Sequence, residues 1–234
     1  MAASLGRVSA HPGTYADTGL FICFEGGEGA GKSTQAKILT SRLEDQGHVV
    51  VLTREPGGTT VGADVRRIVL DPATGDLADR TEALLYAADK AEHVETVVLP
   101  VLGRGDVVIT DRYVDSTLAY QGAGRSLDAA DLEWVARWAT GDLRPHLTVL
   151  LDLEPDEGLQ RFAERDRIEG ESIEFHRRVR YEFQRLAEAD PEHYLVLDAR
   201  APVEGIARAV LAKVMKLTGT LRDGREAPSS GIRS

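Results

Sequence analysis

The sequence predicts an α/β fold, a five-stranded parallel sheet with helices on both faces. Five short apolar runs alternate with longer segments of helical period along the 234 residues. Each run is almost continuously apolar, as strands covered on both sides are. A glycine-rich loop between the first run and the first helical segment gives the strand-to-helix order of such a sheet its chemical meaning.

The runs are LFICFE (20–25), HVVVLT (48–53), DVVIT (106–110), HLTVLLDL (146–153) and YLVLD (194–198). A helix over 32–46 follows the first and stops at Gly47; one over 60–70 follows the second, and a long one over 79–102 ends at Gly103. After the third run a helix over 127–140 stops at Gly141, the fourth leads into 155–164 and 172–189, and the fifth into 202–217. One domain over 20–217 accounts for all of them. Residues 1–19 are small and polar and 218–234 lack periodicity, so both ends are expected to be mobile.

Hydrophobic residues make up 42% and charged residues 28%, enough for a sizeable core. Against 38 acidic residues stand 28 basic ones, a net charge of −10 that disfavours nucleic acid or an anionic membrane as partner. Any phosphate site must be a local basic pocket. The single cysteine, Cys23, lies in an apolar run and reads as core, which excludes an internal disulfide and suits a reducing cytoplasm. No stretch approaches the ~18 consecutive apolar residues of a membrane span, and the first residues hold no signal-peptide core, so a soluble, cytoplasmic protein is expected. The six histidines have no metal-ligand spacing.

After the first run comes GGEGAGKS, in which Gly26, Gly31, Lys32 and Ser33 fill G-x-x-x-x-G-K-S directly before a helix. Gly26, Gly27, Glu28, Gly29, Ala30 and Gly31 wrap backbone N–H groups around phosphates, with Thr34 in the first helical turn. Lys32 would reach the β- and γ-phosphates of ATP, and Ser33 would supply a ligand to Mg²⁺. The motif alone does not say whether the protein is a switch, a motor or a kinase. A guanine-reading Asn-Lys-x-Asp is excluded, because the chain has no asparagine. The third run ends VVITDRY, an aspartate followed by an arginine, which suits an anionic acceptor better than a water nucleophile. Arg54, after the second strand, and Arg112, after the third, both leave strand ends that face the ligand crevice of an open α/β sheet. Arginine stays charged and pairs bidentately with phosphate, as a site joining two phosphorylated substrates requires.

Together FEGGEGAGKST, TREPGGT, DRYVDSTLAYQG and DRIE (166–169) resemble the bacterial thymidylate (dTMP) kinases, in order and spacing from about residue 20 to 217. The resemblance implies a P-loop nucleotide kinase fold with a short lid near 161–172, ATP and dTMP as substrates, Mg²⁺ as cofactor and a homodimer. It implies that Arg54, Arg66 and Arg112 hold the acceptor phosphate, beside Pro56 of TREPGG. Asp111 would act near Mg²⁺ with Ser33. Tyr86 stands where a base-stacking Phe is usual, and Lys90 where an Arg near the base carbonyl is common. Ser116, Thr117, Tyr120 and Gln121 match the stretch that reads the pyrimidine and sugar, and Glu28 the loop acid beside the acceptor. The loop holds no arginine, so a lid arginine would serve the transferred phosphate, with Arg165, Arg167 and Arg161 as candidates in that order. The catalytic set is then Lys32, Glu28, Arg112, Arg165 and Arg167, with Arg161 on ATP and the adenine near 198–202. A nucleoside kinase and a non-catalytic nucleotide-binding module are the competing readings.

Overall fold

The computed structural model describes residues 13–125, 127–161 and 165–225, with side chains described as far as Thr218. The expectations for residues 1–12 and 226–234 lie outside the described residues.

Five parallel strands, β1 (Leu20–Glu25), β2 (Val50–Arg54), β3 (Val107–Asp111), β4 (Leu147–Asp152) and β5 (Tyr194–Asp198), form one sheet in the order β2-β3-β1-β4-β5. β1, β3 and β4 are buried almost throughout, whereas the edge strands β2 and β5 alternate, leaving Leu52 and Val196 partly in solvent. The two edges therefore depart from the uniformly buried runs expected, because each has a neighbour on one side only.

Side chains of β1 point alternately into two cores. Leu20, Ile22 and Phe24 meet α1 (Lys32–Glu44) and α9 (Val203–Arg225) through Leu39, Leu43, Val210 and Val214. Phe21 and Cys23 face Val98, Leu102, Val108 and Tyr113 on the other side, which places the lone cysteine in the core as expected. A third core joins Leu150 to Tyr120, Phe175, Val179 and Phe183.

The helices that frame the site follow from local chemistry. α2 (Thr60–Leu70) is capped by the Thr59 hydroxyl, which accepts from the Gly62 N–H at 2.8 Å. The segment expected as one helix over 79–102 is instead α3 (Asp79–His93), a wide turn of π type over Val94–Val98 and α4 (Leu99–Gly103). Pro100 explains the break: it has no N–H to give the turn before it, and the backbone widens there. A helical segment absent from the expected set, α5 (Val114–Thr117), continues into a second π-type stretch, Leu118–Gly124, packed on α8 (Ile173–Ala189). α6 (Ala129–Thr140) starts at an Asp128 cap and ends at left-handed Gly141, and α8 (Ile173–Ala189) starts at a Ser172 cap. Of the helix expected over 155–164, the described residues form the short α7 (Pro155–Leu159), 162–164 lying outside the described residues, and the last helix runs on to Arg225. Residues 13–18, grouped by sequence with the tail, pair with the chain at 142–144, and Tyr15 stacks on His193 with ring centroids 4.5 Å apart.

α7 sits directly against the loop after β1. A Cβ on Gly158 would lie 2.1 Å from the Glu28 carbonyl oxygen, and one on Gly29 would lie 2.4 Å from the Gly158 carbonyl. Two backbones thus touch where no side chain fits. Gly158→Ala is expected to cost about 1–3 kcal/mol by overpacking, read as a melting temperature lowered by several degrees.

Candidate active site

β1 delivers the glycine-rich loop at the carboxyl end of the sheet, flanked by β3 and β4. Gly26, Gly29 and Gly31 all have positive φ, at 136°, 67° and 91°, which turns the loop back over itself. α1 has no side-chain cap and no acid in its first turn, so its N–H groups and dipole remain available to an anion. Lys32 is buried and donates to the Gly27 carbonyl at 2.7 Å. Burial and then the like charge of Arg112 hold its ammonium below the ordinary value, against the pull of Glu28 and Asp111. Ser33 and Thr34 are exposed at the start of the helix, and Ala30 packs inward.

β3 supplies the second half of the site. Its final Asp111 lies beside Phe24 and Arg54 in the sheet register, and the Ser33 hydroxyl donates to its carboxylate. Hydroxyl and carboxylate are hard oxygen donors of the kind Mg²⁺ takes alongside nucleotide phosphates, so these two residues fit that ion. Among the described residues no cluster of three or more His, Cys, Asp or Glu could hold a metal by itself.

The next residue, Arg112, has a φ of 74°, uncommon for a residue with a side chain. Its N–H donates to the Phe24 carbonyl at 2.9 Å and its carbonyl accepts from Thr110 Oγ1 at 2.9 Å. The backbone is held on both sides, and the guanidinium crosses to the loop. There it donates to Gly26 O at 3.1 Å, Ser116 Oγ at 3.2 Å and Glu28 Oε1 at 2.7 Å, with Tyr120 under its face at 4.9 Å. Tyr120 also donates to Glu28 at 2.7 Å. Burial alone would raise the Glu28 carboxyl; Arg112, Lys32 and the Tyr120 hydroxyl outweigh it and hold the group at about 2.

A cleft of about 590 Å³, part of it continuous with solvent, opens beside this pair. Glu28, Pro56, Arg66, Tyr86, Lys90, Arg112, Ser116, Thr117, Tyr120 and Gln121, all expected in the acceptor site, line it. Arg54 does not; it stands exposed at the end of β2, near Arg66. Arg66 donates to the Pro56 carbonyl at 3.0 Å, next to the cis Glu55–Pro56 peptide. Its guanidinium is held below the ordinary value by burial and by Arg54, with a further contribution from Arg112 and with Asp166 opposing. Like charges crowded in this way mark a place where a multivalent anion is stabilised. Lys90 is fully buried, its Nζ 3.2 Å from Glu55, whose other oxygen is 2.7 Å from His93.

The lid is divided. Arg167, expected at the transferred phosphate, instead donates to Val69 O at 2.8 Å and to Glu82, tying the DRIE turn to α2 and α3. Glu82 is fully buried and attracts it more strongly than solvent does. Arg161, ranked last, donates to Gly29 O of the loop, while Arg165 is exposed.

Sequence reasoning missed Glu55, Leu70, Asp166, Ile168 and Glu169 as cleft residues. The DRIE motif carried a signal for three of them: Asp166 accepts from the N–H groups of Ile168 and Glu169 at 2.9 and 2.8 Å, closing the turn on the cleft. It also missed Glu25, a fully buried carboxyl accepting from the Tyr113 N–H, the Ser116 N–H and the Ser116 hydroxyl at 2.8, 3.2 and 2.7 Å. Burial and nearby Asp115 push Glu25 up to about 7 from an ordinary 4.5.

Because that value is raised, the native state binds the proton more tightly than the unfolded chain does, and Glu25 costs stability as pH rises through the window from 4.5 to 7. Glu25→Gln removes the charge. Relative to the unsubstituted protein it is expected to gain about 2 kcal/mol between pH 5.5 and 8, measured as melting temperatures at the two pH values.

Comparison with known proteins places the chain. The family model for thymidylate kinase matches residues 24–210. A thymidylate kinase of Clavibacter michiganensis subsp. michiganensis is 53% identical over 207 residues, spanning 86% of this chain and 96% of that one. One from Cutibacterium acnes is 51% identical over 199 residues, spanning 85% and 98%. The crystal structure of thymidylate kinase from Ehrlichia chaffeensis superposes with a TM-score of 0.70 at 30% identity, covering 85% of this chain and 99% of that one. With the P-loop, the Arg112–Glu28 pair and the cleft in one crevice, and with this likeness over nearly the whole domain, the chain belongs to the thymidylate kinase family.

Proposed function

We infer that the protein transfers the γ-phosphoryl group of ATP to dTMP, giving ADP and dTDP. The observation that carries it is the pairing of Arg66 and Arg112 on the cleft beside the P-loop, with Arg54 adding its charge next to Arg66. A nucleoside acceptor would give such a cluster no charge to meet.

In the reaction a phosphate oxygen of dTMP attacks the γ-phosphorus in line as the bond to the β-phosphate oxygen breaks. The nucleophile is already an anion, so no strong general base is needed. The chain must bring two anions together and neutralise the charge that builds between them. Lys32 turns toward the β- and γ-phosphates, the N–H groups of the loop hold the remainder, and Arg112 bridges acceptor and donor. Mg²⁺, held with ATP at Ser33 and Asp111, supplies further charge neutralisation when bound. Arg161 is the lid arginine best placed for the ATP phosphates, because it already lies on the loop at Gly29. Tyr86 and Tyr120 frame the base and sugar, and Ser116, Thr117, Gln121 and Lys90 supply polar contacts. Among the described residues no helix is long and apolar enough to cross a membrane. A buried Cys23 and substrates of the nucleotide pool suit a cytoplasmic enzyme.

The family also points to a homodimer. Trp134 and Trp138 of α6 are 65% and 73% exposed and stack at 3° to one another, and Leu84 of the neighbouring α3 is 60% exposed. A second copy covering these side chains is the occupant we propose.

A coupled ADP-release assay with MgATP is expected to show turnover with dTMP and far less with thymidine or with no acceptor. Arg112→Ala should lower kcat about 10²–10³-fold. Turnover with thymidine but not dTMP would overturn the assignment. Sedimentation equilibrium should give a dimer mass that falls to a monomer in the Trp134→Glu, Trp138→Glu double variant.

A further inference from the structure

Glu82 of α3 is not among the residues lining the cleft, yet three side chains from two other segments converge on it. Its carboxylate accepts from Gln121 Nε2 at 2.9 Å, from Arg125 Nε and Nη2 at 3.2 and 3.1 Å, and from the Arg167 guanidinium. N–H groups face both oxygens, so the group acts as an acceptor only. Burial opposes its charge, and the Arg125, Gln121 and Arg167 donors more than compensate, holding it below the ordinary value.

The Gln121 amide is therefore fixed in one orientation. Its NH2 must face Glu82, since the flipped amide would set oxygen against oxygen in a site from which water is excluded. Gln121 is itself 1% exposed and lines the cleft, so the atom it turns from Glu82 is Oε1. On the same cleft Lys90 is an obligate donor, and Thr117 Oγ1 is buried without a partner among the described residues.

We propose that Glu82 sets the base specificity of the reaction by locking Gln121 so that the cleft shows an acceptor beside the donor of Lys90. That pattern complements the imide edge of a 4-oxopyrimidine, whose N3–H donates and whose O4 accepts. A 4-aminopyrimidine carries the reverse order and meets like with like at both positions. Glu82 is a positioning residue in this scheme, acting through Gln121. The inference rests on the assignment of the cleft to the acceptor nucleotide.

The test compares kcat/KM for dTMP and dCMP in the unsubstituted protein, Glu82→Gln and Arg125→Met. A glutamine at position 82 both donates and accepts and no longer selects one amide orientation. The dTMP-to-dCMP ratio is expected to fall at least tenfold in Glu82→Gln. Arg125→Met removes an ion pair from the same carboxylate but keeps the acceptor, and should retain the ratio whatever its stability. Equal losses on both acceptors, with the ratio unchanged in Glu82→Gln, would overturn the proposal. Absence of discrimination in the unsubstituted protein would instead sink the assignment of the cleft. A readout that needs no variant at Glu82 is the ¹⁵N side-chain amide signal of Gln121, identified by its loss in Gln121→Met. Its protons should be protected from exchange before dTMP is added; protection that arises only with dTMP would place NH2 in the cleft and refute the scheme.

Discussion

The ion pair between Arg112 and Glu28 joins the two halves of this site. Glu28 belongs to the loop after β1 and Arg112 to the turn after β3, and their contact adds to the Ser33–Asp111 and Ser116–Glu25 hydrogen bonds that also cross between the two strand ends. Both groups are largely buried, so their attraction is poorly screened, and removing one partner would strand the other's charge. The left-handed backbone of Arg112 is understandable in this light. Strain at that residue aims the guanidinium across the crevice, and hydrogen bonds to Phe24 and from Thr110 hold it there.

The same device recurs around the cleft. Buried carboxylates, each surrounded by donors, fix the groups that face a ligand. Glu25 organises the turn that carries Arg112 and Ser116, Glu55 holds Lys90, and Glu82 holds Gln121 with the DRIE turn. A site whose outer face must be cationic thus stands on an inner layer of acids. The arrangement reconciles a chain of net charge −10 with substrates that are themselves anions.

Much of this was legible in the sequence. Strand order along the chain, the loop and most of the residues that line the cleft follow from short motifs, because glycines at a phosphate loop and arginines at strand ends answer local demands. What stayed hidden depends on tertiary neighbours. Nothing in GGEGAG announces that Gly29 would touch Gly158, and nothing in the spacing of Glu82 marks it as the meeting point of Gln121, Arg125 and Arg167. Arg167 looked catalytic because it stands in a charged run near the lid, yet a buried acid far away in sequence claims it. The break within 79–102 is invisible in the pattern, since helical period survives a π-type turn, where only the hydrogen bonding changes.

The placement of β1 at the centre of the sheet has a consequence for biosynthesis. Its hydrogen-bonding partners are β3, which begins at Val107, and β4, which begins at Leu147. While the chain emerges from the ribosome, the strand that carries the phosphate loop has no neighbour to pair with until β3 is made, and is not flanked on both sides until β4 follows. Nucleotide capture is then a late event in folding, and the apolar LFICF segment is the stretch most in need of shielding during synthesis.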